Sequence, residues 1–306
     1  MESNKLPLRI CVAICTHNPN LNQLAKVISC IEKNRASSDF RLVVIDNASK
    51  NSTDIQNLCH GTAEYHFESR KGNSYARYKA LKLVSFDELL IFIDDDNYVA
   101  PNFIAVAREI SAAYPECGCF GGRTYQSPFL KTKPWNSALL PYVGILNKGD
   151  EIQLSNATLQ WNELEPIGAG MCLRPEVVLF CISTIESFPT YFELGRSGVG
   201  LLSGEDSFIA RHTAKLNLKY GYFPGLKIIH DIKPTRLKFS YLAKLLYSYG
   251  ISDVILNSAM KVAPDYPYPN SLMACIGQYL YIAKRKPSGF IIGLRQFGQY
   301  SKSKKV

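Results

Sequence analysis

Three adjacent carboxylates, Asp94, Asp95 and Asp96, stand directly after five apolar residues, Leu89-Leu90-Ile91-Phe92-Ile93. Like charges this close repel, and closing them into a fold raises the cost. A cation removes that cost, and hard carboxylate oxygens suit a divalent ion that carries phosphates. The plainer alternative is a solvated acidic turn. A second acidic feature, Ser203-Gly204-Glu205-Asp206, opens a helical pattern. An acid in a first helical turn also answers the helix dipole with no catalytic role. Lys227-Ile228-Ile229-His230 reads as a short strand ending in a histidine, a residue that is structural more often than a ligand. Gly168-Ala169-Gly170 permits a ligand to approach the backbone closely.

The elements that must position these groups alternate. Residues 8–15 form an apolar run broken by Thr16-His17-Asn18-Pro19. Leu21, Leu24, Val27, Ile28 and Ile31 then recur at helical spacing over 20–33, with Asn20 as the cap. A second strand, Phe40 to Ile45, ends at Asp46-Asn47-Ala48-Ser49. A polar segment leads through Tyr65-His66-Phe67 to Arg70-Lys71-Gly72-Asn73, and a helix covers 74–84. The third main strand is 89–93, and Pro101 opens a helix to Ala113 before a strand at Cys117–Thr124. This rhythm predicts an α/β protein with a doubly wound, mostly parallel sheet flanked by helices. In such a sheet the carboxyl ends of the strands line one crevice, which makes Thr16, Asp46 and Asp94–Asp96 neighbours.

The rest of the chain is less regular. Residues 125–165, rich in Pro, Asn, Gly and aromatics, read as loops over the site. Residues 193–204 hold four glycines and read as a mobile loop. Beyond Pro234, Leu237, Tyr241, Leu242, Leu245, Leu246 and Tyr249 form a stripe with Lys238 and Lys244 off it, an amphipathic helix over 237–249. A second apolar helix over 271–284 closes on Lys284-Arg285-Lys286.

At 306 residues, 46% hydrophobic and 20% charged, the chain has the composition of a soluble globular protein. No apolar run is long enough to span a bilayer, and Met1-Glu2-Ser3-Asn4-Lys5-Leu6-Pro7 lacks the apolar core of a signal peptide. A cytoplasmic protein is expected. Nine scattered cysteines without a Cys-x-x-Cys pair argue against a zinc or disulfide framework. The net charge of +9 is uneven: residues 233–306 carry twelve Lys or Arg against two acids. A basic, amphipathic end suits docking on an anionic membrane surface, or packing on the rest of the chain. No nucleic-acid motif accompanies it.

The series Thr16-His17-Asn18, Val43-Val44-Ile45-Asp46-Asn47-Ala48-Ser49, Arg70-Lys71-Gly72 with Ala76-Arg77, Asp94-Asp95-Asp96 with Pro101, Gly204-Glu205-Asp206 and His230 resembles family 2 glycosyltransferases of the GT-A fold. The likeness covers residues 8–232. It implies a catalytic domain at 1–232, a basic helical region at 233–306, and an inverting transfer of a sugar from a nucleotide-diphosphate donor, UDP-linked first, to a glycan or lipid-linked hydroxyl. Thr16, His17 and Asn18 match the segment that holds the nucleoside, and Asp46 and Asn47 the pair that meets the base. Lys71, Gly72 and Arg77 match further nucleotide contacts. Asp94 and Asp96 match the outer acids of an Asp-x-Asp motif, with Asp94 or Asp95 nearer the ribose. Asp96, Asp94 and His230 match the ligands of Mn²⁺ or Mg²⁺. Asp206 matches the catalytic base, and Gly170 and Glu205 fall where the sugars would lie.

The residue types fit that chemistry independently. A departing diphosphate needs positive charge, and an attacking hydroxyl needs a carboxylate on a separate element to take its proton. The absence of Gln-x-x-Arg-Trp argues for single additions rather than processive synthesis. Two rivals remain. A nucleotidyltransferase would normally show a glycine-rich first turn, where this chain has Thr16-His17-Asn18-Pro19. A silent sugar-nucleotide-binding protein would not need Asp94, Asp96, Asp206 and His230 together.

Overall fold

The computed structural model describes residues 7–196, 200–264, 267–285 and 288–303. Nine strands among them form one sheet: β1 (Arg9–Thr16), β2 (Arg41–Asn47), β3 (Glu64–Glu68), β4 (Glu88–Asp94), β5 (Asn97–Val99), β6 (Cys117–Gln126), β7 (Gln153–Asn156), β8 (Cys172–Leu173) and β9 (Lys219–His230). Their order is β3-β2-β1-β4-β8-β6-β9-β5, and β7 also pairs with β9. β1, β2, β3 and β4 pair in parallel, as do β6 and β9. β8, β5 and β7 run antiparallel to their neighbours.

Alternate residues of the central strands enter two different cores, which is why these strands read as unbroken apolar runs. Ile10, Val12, Ile14, Leu89, Ile91 and Ile93 pack with the buried face of the helix Leu21–Glu32, where Asn20 caps the backbone of Gln23 at 3.1 Å. Cys11, Ala13, Leu90 and Phe92 face the other core with Ala76, Val177, Phe208 and Ile209. Burial of each large apolar side chain contributes about 1.5–3 kcal/mol.

Several elements differ from the sequence reading. The helix Ser52–Cys59 and the edge strand β3 occupy what reads as a polar connector. An edge strand with one open side carries polar residues freely, so its pattern is weak. β9 begins eight residues before the expected Lys227. Pro224, Gly225 and Leu226 are skipped by its pairing with β6, so a register break hides the first half of the strand.

The segment after residue 232 shares the central cores. In the helix Phe239–Met260, Leu242, Leu245 and Leu246 join Leu139, Val143 and Ile232, while Ile255, Leu256 and Met260 join the core beneath β1, β2 and β4. A Cβ on Gly250 would meet the Arg295 carbonyl at 1.9 Å, and one on Gly298 the Tyr247 carbonyl at 1.9 Å. The helices Phe239–Met260 and Leu294–Ser303 therefore cross in backbone contact, clamped by two Asp253–Arg295 bonds of 2.5 Å. Of the two alternatives for the apolar stripe, membrane docking or packing on the rest of the chain, its leucines take the second. Among the described residues no helix is long and apolar enough to cross a membrane.

Candidate active site

The carboxyl ends of β1, β2 and β4 open into a cavity of about 450 Å³, well within the range of small-ligand sites. The turns that leave β1 and β2 interlock across its edge. Asn18 and Ala48 both take left-handed backbone, with φ of 48° and 52°. The Asn18 N–H donates to Ser49 Oγ at 2.8 Å, and the Lys50 N–H returns a 2.8 Å bond to Asn18 Oδ1. His17 Nδ1 lies 2.6 Å from the Asn47 carbonyl. The Asn47 side chain spans the next gap, accepting from the Gly72 N–H at 2.8 Å and donating to the Arg70 carbonyl at 2.6 Å.

The three carboxylates at the end of β4 separate into different environments. Asp94 faces Arg77 at 3.5 Å. Asp95 accepts a short hydrogen bond from the Thr16 hydroxyl. Burial pushes its carboxyl up to about 6 despite that bond, with the charges of Asp96 and Asp94 adding to the effect. Asp96 lies 3.1 Å from His230 Nε2 and 3.4 Å from the Arg236 guanidinium. Burial opposes its charge, but His230, Arg236 and Arg196 outweigh burial and hold the carboxyl below the usual range. Burial likewise opposes a charged His230, and Asp96 wins by raising the imidazole above its ordinary value.

Main-chain pairing sets this meeting of Asp96 and His230. β5 runs antiparallel to β9 with Asn97 opposite His230, and the Asp231 N–H donates to the Asp96 carbonyl at 2.8 Å. The fully buried Asn97 amide accepts from the Asp94 N–H and donates to the Asp96 carboxylate, each at 3.2 Å.

Glu205 and Asp206 enter from the short helix Glu205–Arg211, and they differ in role. Glu205 is buried, accepts from the Asn73 amide at 2.6 Å and lies 3.6 Å from Arg77. Burial raises its carboxyl, Asp206 adds to that, and Arg77 opposes it. Asp206 is partly exposed on the cavity wall and accepts from the Gly168 N–H at 3.0 Å and from the Ser207 N–H at 2.9 Å. Arg77 sits beneath both acids with Nε and Nη1 buried and without hydrogen-bond partners among the described residues, its Nε 3.6 Å from Glu205. A Cβ on residue 168 would stand 2.2 Å from Arg77 Nη2, so only glycine there lets the guanidinium pass.

Most of the residues picked from the sequence meet here. Thr16, His17, Asn47, Lys71, Gly72, Arg77, Asp94, Asp95, Asp96, Glu205, Asp206 and His230 all line the cavity. Asn18, Asp46 and Gly170 stand behind it. Asp46 is fully buried and holds the turn through Ser49 N at 3.0 Å and Tyr65 Oη at 2.9 Å. Gly170, with φ of 79°, donates to the Phe92 carbonyl at 2.9 Å and so fixes its segment against β4. Of the expected glycine loop, residues 197–199 lie outside the described residues. Gly195 is packed, since a Cβ there would meet Ser74 Oγ at 2.1 Å.

Another part of the cavity is not assigned to a site by the sequence reading. Tyr142, Arg196, Arg236, Tyr241 and Tyr249 line it. Tyr249 Oη donates to the Tyr142 carbonyl at 2.8 Å, and the two rings lie 6.1 Å apart. The stripe periodicity names Tyr241 and Tyr249, but a stripe alone does not separate core from cavity.

The donor set for a cation is Asp96 and His230, one hard oxygen and one imidazole nitrogen already adjacent at the cavity floor. Two such ligands fit an ion whose remaining positions are filled by phosphate oxygens. Asp94 does not complete the set, because it is turned toward Arg77. Among the described residues no three His, Cys, Asp or Glu side chains converge on one ion position.

A sheet with acid-bearing strand ends and an acid facing them from a separate helix defines a class of nucleotide-sugar-handling folds. The profile of glycosyl transferase family 2 matches residues 11–178, more than half of the chain, and the protein belongs to that family. Its fold is GT-A, shared with a mannosyltransferase, PcManGT from Pyrobaculum calidifontis, solved with GDP-Man and Mn²⁺. That likeness has 15% identity and a TM-score of 0.53, over 99% of this chain and 77% of the other. GalNAc-T7, solved with UDP, GalNAc and Mn²⁺, is 13% identical with a TM-score of 0.52, over 97% of this chain and 55% of that one. TarS of S. aureus is 14% identical with a TM-score of 0.55, over 97% and 53%. The chain thus spans about half the length of the latter two. Comparison with curated protein sequences gives no match.

Proposed function

We propose that the protein is an inverting, non-processive glycosyltransferase that moves a sugar from a nucleotide-diphosphate donor, UDP-linked first, to a hydroxyl of a glycan or lipid-linked acceptor. The observation that carries this reading is that Asp94–Asp96 and Asp206 face one cavity from separate elements. Residues 1–232 supply the donor-binding residues and the base, and residues 233–306 supply Arg236, Tyr241 and Tyr249.

The nucleoside lies between the β1 and β2 turns, against His17, Asn47 and the Lys71-Gly72 turn. Asp96 and His230 would hold Mn²⁺ or Mg²⁺, which when bound supplies positive charge to the diphosphate oxygens. Arg196 and Arg236, whose charges act on Asp96, add positive charge for a departing diphosphate. Asp206 accepts the proton of the attacking hydroxyl. Its two backbone hydrogen bonds fix the carboxylate in place. Arg77 holds Glu205 and Asp94 in place, so Glu205 positions and Asp206 reacts. The GDP-Man and Mn²⁺ named for one neighbour, and the UDP, GalNAc and Mn²⁺ named for another, support a nucleotide-sugar donor and a divalent ion.

A panel of nucleotide sugars tests the reading. One donor is expected to be hydrolysed slowly with Mn²⁺ present, and EDTA is expected to lower that rate at least about tenfold. The absence of both hydrolysis and binding across the panel would refute it.

A further inference from the structure

Three segments far apart in sequence meet in one surface patch beside the cavity. The segment 127–149 contributes Trp135, the start of the helix Phe239–Met260 contributes Phe239 and the helix Gly289–Ile292 contributes Phe290, and Phe129 adjoins them through its neighbour Leu130, which is buried in one cluster with Leu237 and Ile291. Phe239 stacks on Phe290 at 6.0 Å and 13°, and Trp135 lies 6.4 Å from Phe239. The Asn136 amide donates to the Leu237 carbonyl at 3.3 Å, and the Ser288 hydroxyl donates to the Trp135 carbonyl. The phenylalanines face outward: Phe129 is 89% exposed, Phe239 52% and Phe290 42%. An exposed aromatic cluster on a folded chain marks a contact surface.

The charge around the cluster selects the partner. Residues 127–149, 232–252 and 288–303 contain no Asp or Glu. Lys131, Lys133, Lys233 and Lys238 are exposed, and none is in an ion pair among the described residues. Lysines around outward apolar rings match an anionic bilayer, where amines meet headgroups and rings enter the acyl boundary. Phenylalanine has no hydrogen-bonding atom to offer a sugar, so an anionic glycan fits less well. The patch also adjoins the site: Tyr142 and Gly144 of the same loop, and Arg236 and Tyr241 around Phe239, line the cavity.

We propose that this face docks the protein on an anionic lipid surface, with Phe129, Phe239 and Phe290 inserting and Lys131, Lys133, Lys233 and Lys238 holding the headgroups. The cavity mouth then opens at the membrane interface, next to an acceptor anchored there. The inference rests on the lipid-linked form of the acceptor proposed above. It replaces the buried leucine stripe of the helix Phe239–Met260 as the docking element.

Co-sedimentation of the full chain with vesicles of phosphatidylglycerol and phosphatidylcholine, against phosphatidylcholine alone, tests it. Wild type is expected to sediment with the anionic vesicles only, and less so at high salt. The combination Lys131→Gln, Lys133→Gln and Lys238→Gln should lower partitioning on the order of a hundred-fold. Phe129→Ser, a change at a side chain with almost no packing, should lower it several-fold at high salt. Lys26→Gln with Lys215→Gln, outside the three segments, should change nothing. Equal sedimentation with neutral vesicles, or wild-type binding by the triple-lysine variant, overturns the proposal. Capture by a soluble anionic polysaccharide but not by vesicles overturns it in favour of a glycan surface. Donor hydrolysis without vesicles is read on the same samples. Its absence in wild type would sink the catalytic reading and leave the docking result standing.

Discussion

Two stretches of the cavity lining differ in make-up, one rich in acids and the other in bases and phenols. Asp94, Asp95, Asp96, Glu205 and Asp206 line the first, and Arg196, Arg236, Tyr241 and Tyr249 the second. The acids of β4 sit on a strand end fixed by a parallel ladder on one flank and the short antiparallel β8 on the other. The bases and phenols come from a loop and a helix that reach the site only through tertiary packing. Acids held at a strand end keep their positions when a ligand leaves, which suits binding. Cations on a peripheral segment can exchange partners, and Arg236, paired with Asp96 at 3.4 Å, has such an exchange open to it.

If the division is right, damage to each wall has a different signature. The largest effect is expected on the acid wall: Asp206→Asn should lower transfer by about 10²–10⁴-fold. Donor affinity, read by calorimetry, should stay put, and near-normal turnover would move the base to another group. On the basic wall, Arg236→Gln removes one charge from the leaving-group side and should lower donor kcat/KM about tenfold. Arg236→Lys should restore part of that. Unchanged kinetics in both would make the basic wall scaffolding and break the comparison.

The smallest expected effect concerns the anchor behind the acid wall. Burial opposes the Asp46 charge, yet hydrogen bonds from Ser49, Ser52 and Tyr65 outweigh it and hold the carboxyl below its ordinary 3.8. A lowered pKa contributes stability above the unfolded value and loses it as pH falls through the folded one. Asp46→Asn should therefore cost roughly 1 kcal/mol at neutral pH. The difference from wild type should close below pH 3.8 in denaturant titrations. A difference that persists at low pH would mean that packing, not charge, holds the turn.

The same division governs what the sequence discloses. The β1, β2 and β4 strands, and the polar residues after them, are legible because burial on both faces writes an apolar run and the strand end follows at once. The GT-A fold and the meeting of Asp96 with His230 come from that pattern and the family motifs. Asn97 is not legible as an organiser, since an asparagine after three aspartates looks like one more polar turn residue. Asp46 shows its type but not its direction: a strand-end acid faces the ligand or the turn, and here it faces the turn. Tyr241 and Tyr249 vanish into a helical stripe, because period 3.6 marks a covered face without saying what covers it. Phe239 and Phe290 gain meaning only when residues 51 positions apart stack.

The short β5–β9 ladder has a consequence beyond holding two side chains together. Because Asn97 is stitched to His230 by backbone pairing, the spacing of the adjacent carboxylate and imidazole is inherited mainly from the sheet, and the loops at 127–149 and 188–204 add to it, among the described residues, the Gly144 carbonyl 3.3 Å from His230 Nδ1. Those loops can diverge in length and composition while the β5–β9 pairing keeps its dimensions. Loop sequence and that spacing can thus drift largely independently during evolution.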